Sequence, residues 1–292
     1  MAWVRAVACA LLPLAACGGP SEPQAPAHLP SRAPVAPTVT AVIPAQPSPA
    51  PHAQPSEPAA WPPRAPPIVE TDWCTESVRA LDPSTCFFLP EAPTRTLLVY
   101  LHGVVPPEKT SAQKTNYQAV VANASRRAGA AALMPRGNQG LAPKGIEKWW
   151  GWPTSPSTYK RHAAELVERI QAARRKLEDS TGIQFERVYL AGSSSGAYFV
   201  ATLAQRGGIE VDGFGAMSGG TTVLEPSFQA LRPRPVYIGY GLYDTVGESA
   251  RELGRLLEKA KWPVRVAEHR VGHGAREVYL DEAFPFWAQH RD

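Results

Sequence analysis

Between Arg187 and Ala197 a short apolar run, Val188-Tyr189-Leu190-Ala191, passes directly into Gly192-Ser193-Ser194-Ser195-Gly196 and then into a helix-forming stretch, Ser195 to Gln205. A strand that turns at once into a helix commits the chain to a crossover connection, which pairs strands in parallel and needs helices on both faces of the sheet. The surrounding sequence repeats this alternation. Thr96 to Leu101 reads as a strand buried on both faces, followed by a helix near Asn116 to Arg127 and a strand from Ala130 to Met134. Tyr159, Ala163, Leu166, Ile170, Ala173 and Leu177 step by four and three, one face of a long helix whose other face carries Lys160, Arg161, Glu165, Arg169 and Arg174 and reads as solvated. Strands from Phe214 to Met217, Pro235 to Tyr240 and Val264 to Arg270, with helices from Glu248 to Lys259 and near Arg276 to Gln289, complete an α/β chain with a mainly parallel central sheet.

Three serines stand in a row at the strand-to-helix turn, and the glycine frame Gly192-x-Ser194-x-Gly196 selects the middle one. A nucleophile on so sharp a turn leaves no room for side chains two residues before and after it. The helix behind it directs N-terminal amides and its positive dipole end at developing negative charge. Such a serine needs a base, and the base an orienting acid. Downstream lie His269, His273 and His290; His273, in Val271-Gly272-His273-Gly274 just past the last strand, is placed to reach back to Ser194. For the acid, Asp244 follows the buried strand ending at Tyr240, with Glu248 in reserve; Asp212 precedes its strand and Asp281 falls in the final helix. Two amides suit an oxyanion, that of Ser195 and that of Val104 after Leu101-His102-Gly103, with His102 supporting the loop.

Gly192-x-Ser194-x-Gly196 between strand and helix, followed in order by Asp244 and His273, closely resembles the α/β-hydrolase superfamily, from about Thr96 to the C-terminus. The resemblance implies the α/β-hydrolase fold and a Ser-Asp-His serine hydrolase without cofactor or metal. Lys148-Trp149-Trp150-Gly151-Trp152-Pro153 is similar to the Trp-rich loop of secreted esterases of the polyhydroxybutyrate depolymerase and feruloyl esterase type. It implies an aromatic wall of Trp149, Trp150 and Trp152 against a small-molecule or polymeric ester; a packed loop anchor is the other reading. His269 and His273 are four apart but lack the following Glu of a zinc-protease helix, and Gly213 to Ser218 only half-matches a dinucleotide fingerprint.

The chain has 31 prolines among 292 residues, and 16 of them fall between Pro20 and Pro67. Fixed φ angles and missing amide donors make residues 18–67 an extended tether rather than helix or sheet, and leave residues 68–292 for one catalytic-size domain. Ahead of the tether, Arg5 and the apolar stretch from Ala6 to Ala16 read as an export signal. Leu14-Ala15-Ala16-Cys17 resembles the lipobox of bacterial lipoproteins, which implies lipid on Cys17 and a membrane-anchored envelope protein; Gly18 after it implies outer-membrane sorting. An ordinary signal peptide with an incidental Cys is the alternative. Export leaves Cys74 and Cys86 in an oxidising compartment, as a disulfide rather than two thiols or a metal pair. A net charge of +4 without a basic block argues against nucleic-acid binding, and no apolar run is long enough to span a bilayer. Ester hydrolysis at the envelope is the leading expectation, with a peptidase or amidase on the same residues, or a non-catalytic envelope binding protein, as alternatives.

Overall fold

The computed structural model describes residues 61–66, 68–221 and 232–290. Cys17, the signal-like segment and most of the Pro-rich stretch lie outside the described residues. The Pro-rich stretch does not run free as far as Ile68: the Trp61 indole donates to the Pro90 carbonyl at 2.9 Å, and the Arg64 amide to Thr181 at 2.9 Å. No helix of the described residues is long and apolar enough to cross a membrane.

The described domain is built from eight strands and five α-helices. In chain order these are β1 (Arg79–Asp82), β2 (Thr85–Phe88), β3 (Thr96–Leu101), α1 (Ala112–Ala128), β4 (Ala131–Pro135), α2 (Pro156–Thr181) and β5 (Arg187–Ser193). There follow α3 (Ser195–Arg206), β6 (Gly213–Met217), β7 (Val236–Gly241), α4 (Gly247–Lys259), β8 (Val264–His269) and α5 (Glu277–Gln289). The sheet runs β1-β2-β4-β3-β5-β6-β7-β8, parallel from β4 to β8 and antiparallel where β1 and β2 extend it. Its six parallel strands are those expected from the sequence. The β1–β2 hairpin was not expected: four-residue strands carry no readable period, and they turn on Asp82, whose Oδ1 accepts from the Ser84 amide and hydroxyl, each at 2.9 Å.

Alternate residues of the inner parallel strands, β4, β3, β5, β6 and β7, enter opposite cores, which is why these strands are largely apolar, whereas the edge strand β8 is half-buried to exposed. Leu97, Val99 and Leu101 of β3 pack with Leu190, Phe214 and Ile238 beneath α2, α3 and α4. Leu98 and Tyr100 pack with Tyr189, Ala191 and Tyr237 beneath α1 and α5. The stripe Leu166, Ile170, Ala173 and Leu177 of α2 is buried as its spacing requires, and Ser155 and Thr158 form a capping box at its start. Its opposite face is less solvated than expected, since Arg169 donates to Asn138 Oδ1 at 2.7 Å and to the Arg136 carbonyl at 2.9 Å. The first helix also starts earlier than its apolar pattern, because Ser111 caps it by accepting from the Lys114 amide.

Cys74 and Cys86 are joined by a disulfide with Cα atoms 5.6 Å apart. The bridge fastens the segment before β1 onto β2. Gln118, fully buried on α1, completes the fastening: its Nε2 donates to the Trp73 carbonyl and its Oε1 accepts from the Thr75 amide.

Candidate active site

The C-terminal ends of β5, β7 and β8 deliver the polar residues. Ser194 lies between β5 and α3 with φ 51° and ψ −120°, a conformation costing an L-residue on the order of 1–3 kcal/mol. The flanking glycines make the turn possible. A Cβ on Gly192 would meet the Leu101 carbonyl oxygen at 2.8 Å, and one on Gly196 would meet it at 2.2 Å. Backbone from β3 occupies the space a side chain would need, so the serine is pushed up and out of the sheet.

His273 stands over it. The Ser194 hydroxyl lies 3.0 Å from Nε2, and Nδ1 lies 2.9 Å from Asp244 Oδ1. The Asp244 carboxylate is fully buried, and the same oxygen accepts from the Val246 amide at 3.0 Å. An ionised carboxylate only accepts, so Nδ1 carries the proton and Nε2 is free to take one from Ser194. The loops bearing His273 and Asp244 are joined: Leu242 donates to the His269 carbonyl and Tyr243 to that of Val271.

Gly103 packs against Ser194, where a Cβ would lie 3.1 Å from Ser194 Cβ, and the next residue, Val104, lines the same cavity. Neither the Val104 nor the Ser195 amide finds an acceptor among the described residues. His102 serves the loop: Nδ1 donates to the Gly103 carbonyl and Nε2 accepts from the Gly137 amide at 2.9 Å. Complete burial, reinforced by the nearby Arg136 and Arg169, pushes its imidazole down to about 4, so it is neutral and fit for this double role.

Ser194, His273 and Gly103 open onto a cavity of about 450 Å³ lined also by Val104, Val105, Trp149 and Arg276. No protein-family model matches the chain, and no curated protein matches it at a significant level. Solved structures do. The Bacillus cereus carboxylesterase superposes with a TM-score of 0.53 at 18% identity, over 74% of this chain and 99% of that one. Esterase PE8 gives 0.52 at 17% over 70% and 98%, and SOBER1 of Arabidopsis thaliana 0.51 at 15% over 66% and 98%. The fold is that of the α/β-hydrolases.

On this α/β-hydrolase scaffold the other candidate residues sort by position. Glu248 is paired with Arg251 and Arg255 on the outside of α4, and Asp281 with Arg127. Asp212 accepts from the Val188 amide at 2.7 Å, near the start of the strand whose end carries Ser194. His269 faces Tyr237 and Glu282, and His290 donates to the Phe286 carbonyl. Among the described residues no three His, Cys, Asp or Glu side chains converge as a metal site.

The Trp-rich loop divides. Trp149 lines the cavity. Trp152 does not: it is fully buried, stacked on Phe199 with centroids 5.9 Å apart, and is a core anchor rather than a wall. Trp150 pairs its backbone with Val105, packs its ring under the Arg136 guanidinium, 4.1 Å from the centroid, and lines a different cavity from Ser194. Two residues escaped the sequence reading. Ser218, at the end of β6 with φ 47°, donates to the Gly274 carbonyl at 3.1 Å and accepts from its amide at 3.2 Å, clamping the His273 loop. Arg276 lines the cavity beside it. The only signal for Ser218 was its place just past a buried strand, before Gly219-Gly220.

Proposed function

We propose that the protein is a serine hydrolase that cleaves carboxylic esters through an acyl-enzyme. The observation that carries this is the single imidazole bridging Ser194 Oγ at 3.0 Å and buried Asp244 at 2.9 Å. Ser194 attacks the ester carbonyl as His273 Nε2 takes its proton, and the negative oxygen is received by the Ser195 and Val104 amides. His273 then protonates the departing alkoxide, with Asp244 stabilising the imidazolium. Water, deprotonated by His273, releases the acid and restores Ser194. The esterase and carboxylesterase names of the structural neighbours favour esters over amides. The depolymerase-like reading rests on Trp149 alone, and a small ester fits the cavity better than an aromatic-lined polymer groove.

The cell envelope is the proposed setting, with the domain held by lipid on Cys17 through the Pro-rich tether. The Cys74–Cys86 disulfide supports an oxidising compartment. A fluorophosphonate should label the protein and fail to label Ser194→Ala, and p-nitrophenyl esters should be turned over far faster than peptide anilides. Labelling that survives Ser194→Ala sinks the nucleophile assignment. Palmitate incorporation in a bacterial host should vanish in Cys17→Ala; its persistence, or its absence from the parent, rules out the anchor.

A further inference from the structure

Arg276 occupies the N-cap position of α5, with φ −136° and ψ 139° and no side-chain cap. A cation there opposes the helix dipole, where Ser, Thr, Asp or Asn would stabilise it. Among the described residues no carboxylate lies within ion-pair distance of it. Instead Nε donates to the Gly272 carbonyl at 3.3 Å and Nη2 to the His273 carbonyl at 2.9 Å, which fixes the guanidinium beside the base and leaves Nη1 without a partner among the described residues.

Among the described residues Arg276 is also the one permanently charged side chain lining the Ser194 cavity; the rest of that lining is apolar or, as with Gln113 and Asn116, neutral. The positive sign continues beyond it. Val105 and Trp150 exchange backbone hydrogen bonds and separate this cavity from a neighbouring one of about 180 Å³. That second cavity carries Lys109, Lys114 and Arg136 against Asp72 and Glu108. Lys114 Nζ is held by the Asp72 and Lys109 carbonyls rather than by a carboxylate.

We propose that Arg276 is a specificity-determining residue that selects esters bearing a carboxylate on their acyl or alcohol part. This rests on the serine hydrolase reading. A substrate carboxylate beside Ser194 meets a preorganised guanidinium with N–H groups to spare, and among the described residues no carboxylate lines the cavity to repel it. A neutral ester of the same length gains nothing from Arg276.

The test uses the full-length protein and two matched pairs of esters. The first pair is mono-p-nitrophenyl glutarate against p-nitrophenyl pentanoate, with the charge on the acyl side. The second is the butyrate ester of glycolic acid against ethyl butyrate, with the charge on the alcohol side. The parent should favour the anionic member of at least one pair, and Arg276→Gln should lower that kcat/KM ratio about tenfold or more, with partial recovery in Arg276→Lys. Loss of the Gly272 and His273 contacts slows every ester alike and cancels in the ratio. Glutarate binding followed by calorimetry reads the site without turnover and should weaken by a similar factor in Arg276→Gln. Unchanged ratios in both pairs, with glutarate bound equally or by neither protein, overturn the proposal. Failure of the hydrolase reading is recognised separately, by absent fluorophosphonate labelling of Ser194.

Discussion

Gly241 and Val271 meet backbone to backbone: a Cβ on Gly241 would lie 2.1 Å from the Val271 carbonyl oxygen. The contact sits where β7 and β8 end, so it sets the separation between the loop of Asp244 and the loop of His273. Gly241→Ala must push these loops apart. Esterase kcat/KM should fall by about a hundredfold or more, with a stability loss of about 2–3 kcal/mol. Denaturant unfolding alongside p-nitrophenyl acetate turnover separates the two effects, and near-parental turnover would show that the loops reclose.

Ser218 clamps Gly274 from the neighbouring strand end. Ser218→Ala leaves a half-buried carbonyl and amide of Gly274 without their partner and frees the segment after His273. A stability loss of about 1–3 kcal/mol is expected. Because Ser218 acts through the imidazole's position, kcat should drop more than KM changes, which steady-state kinetics with a neutral ester will resolve.

The strain at Ser194 inverts an ordinary ranking. At most positions Gly is less stable than Ala because it has more freedom to lose on folding. At φ 51° and ψ −120° the order should reverse, with Ser194→Gly more stable than Ser194→Ala by about 1 kcal/mol and both inactive. Paired thermal melts decide it; Ala at or above Gly would show that the turn is unstrained.

His102 predicts a stability loss in acid. Its folded value, about 4, is depressed from 6.5, so the unfolded chain takes up the proton first as pH falls. The stability this neutral imidazole confers is intact above pH 6.5 and is lost progressively down to about pH 4, on the order of 3 kcal/mol in all. Unfolding free energies of the parent and His102→Gln across that range should converge as pH drops; parallel curves would refute the assignment.

The disulfide closes a short loop and also presses Trp73 against His102, with ring centroids 5.2 Å apart. Replacing both cysteines with serine should cost about 3 kcal/mol. It should also loosen the Val104 side of the site, read as a lower kcat in protein that remains folded at 15 °C.

Ser194, Asp244 and His273 were legible because each follows a buried strand whose apolar run can be read locally, and because glycines flank the serine. The α/β framework was legible for the same reason. What could not be read depends on packing between distant segments. Trp149, Trp150 and Trp152 fall within four residues and are chemically alike, yet one faces the cavity, one packs against Arg136 and one enters the core. Only the Val105–Trp150 and Asn138–Gly151 bridges decide which. Arg276 looked like the first residue of a helix, and the placing of its side chain depends on two carbonyls of the preceding loop. The β1–β2 hairpin becomes visible only beside β4, which supplies its partner strand.

Among the described residues the sheet ends on β1 at one edge and β8 at the other, which has a consequence for solubility. β1 is four residues long, with a register shift between Ala80 and Asp82, and offers little uninterrupted backbone to an incoming strand. β8 is longer, but two of its exposed side chains are tied down as ion pairs, Arg265 with Glu282 and Glu268 with Arg251. A strand docking there would have to approach past fixed charges of both signs. The sheet is thus capped at one margin by brevity and at the other by charge, and a crowded compartment would find it hard to extend the sheet into an aggregate.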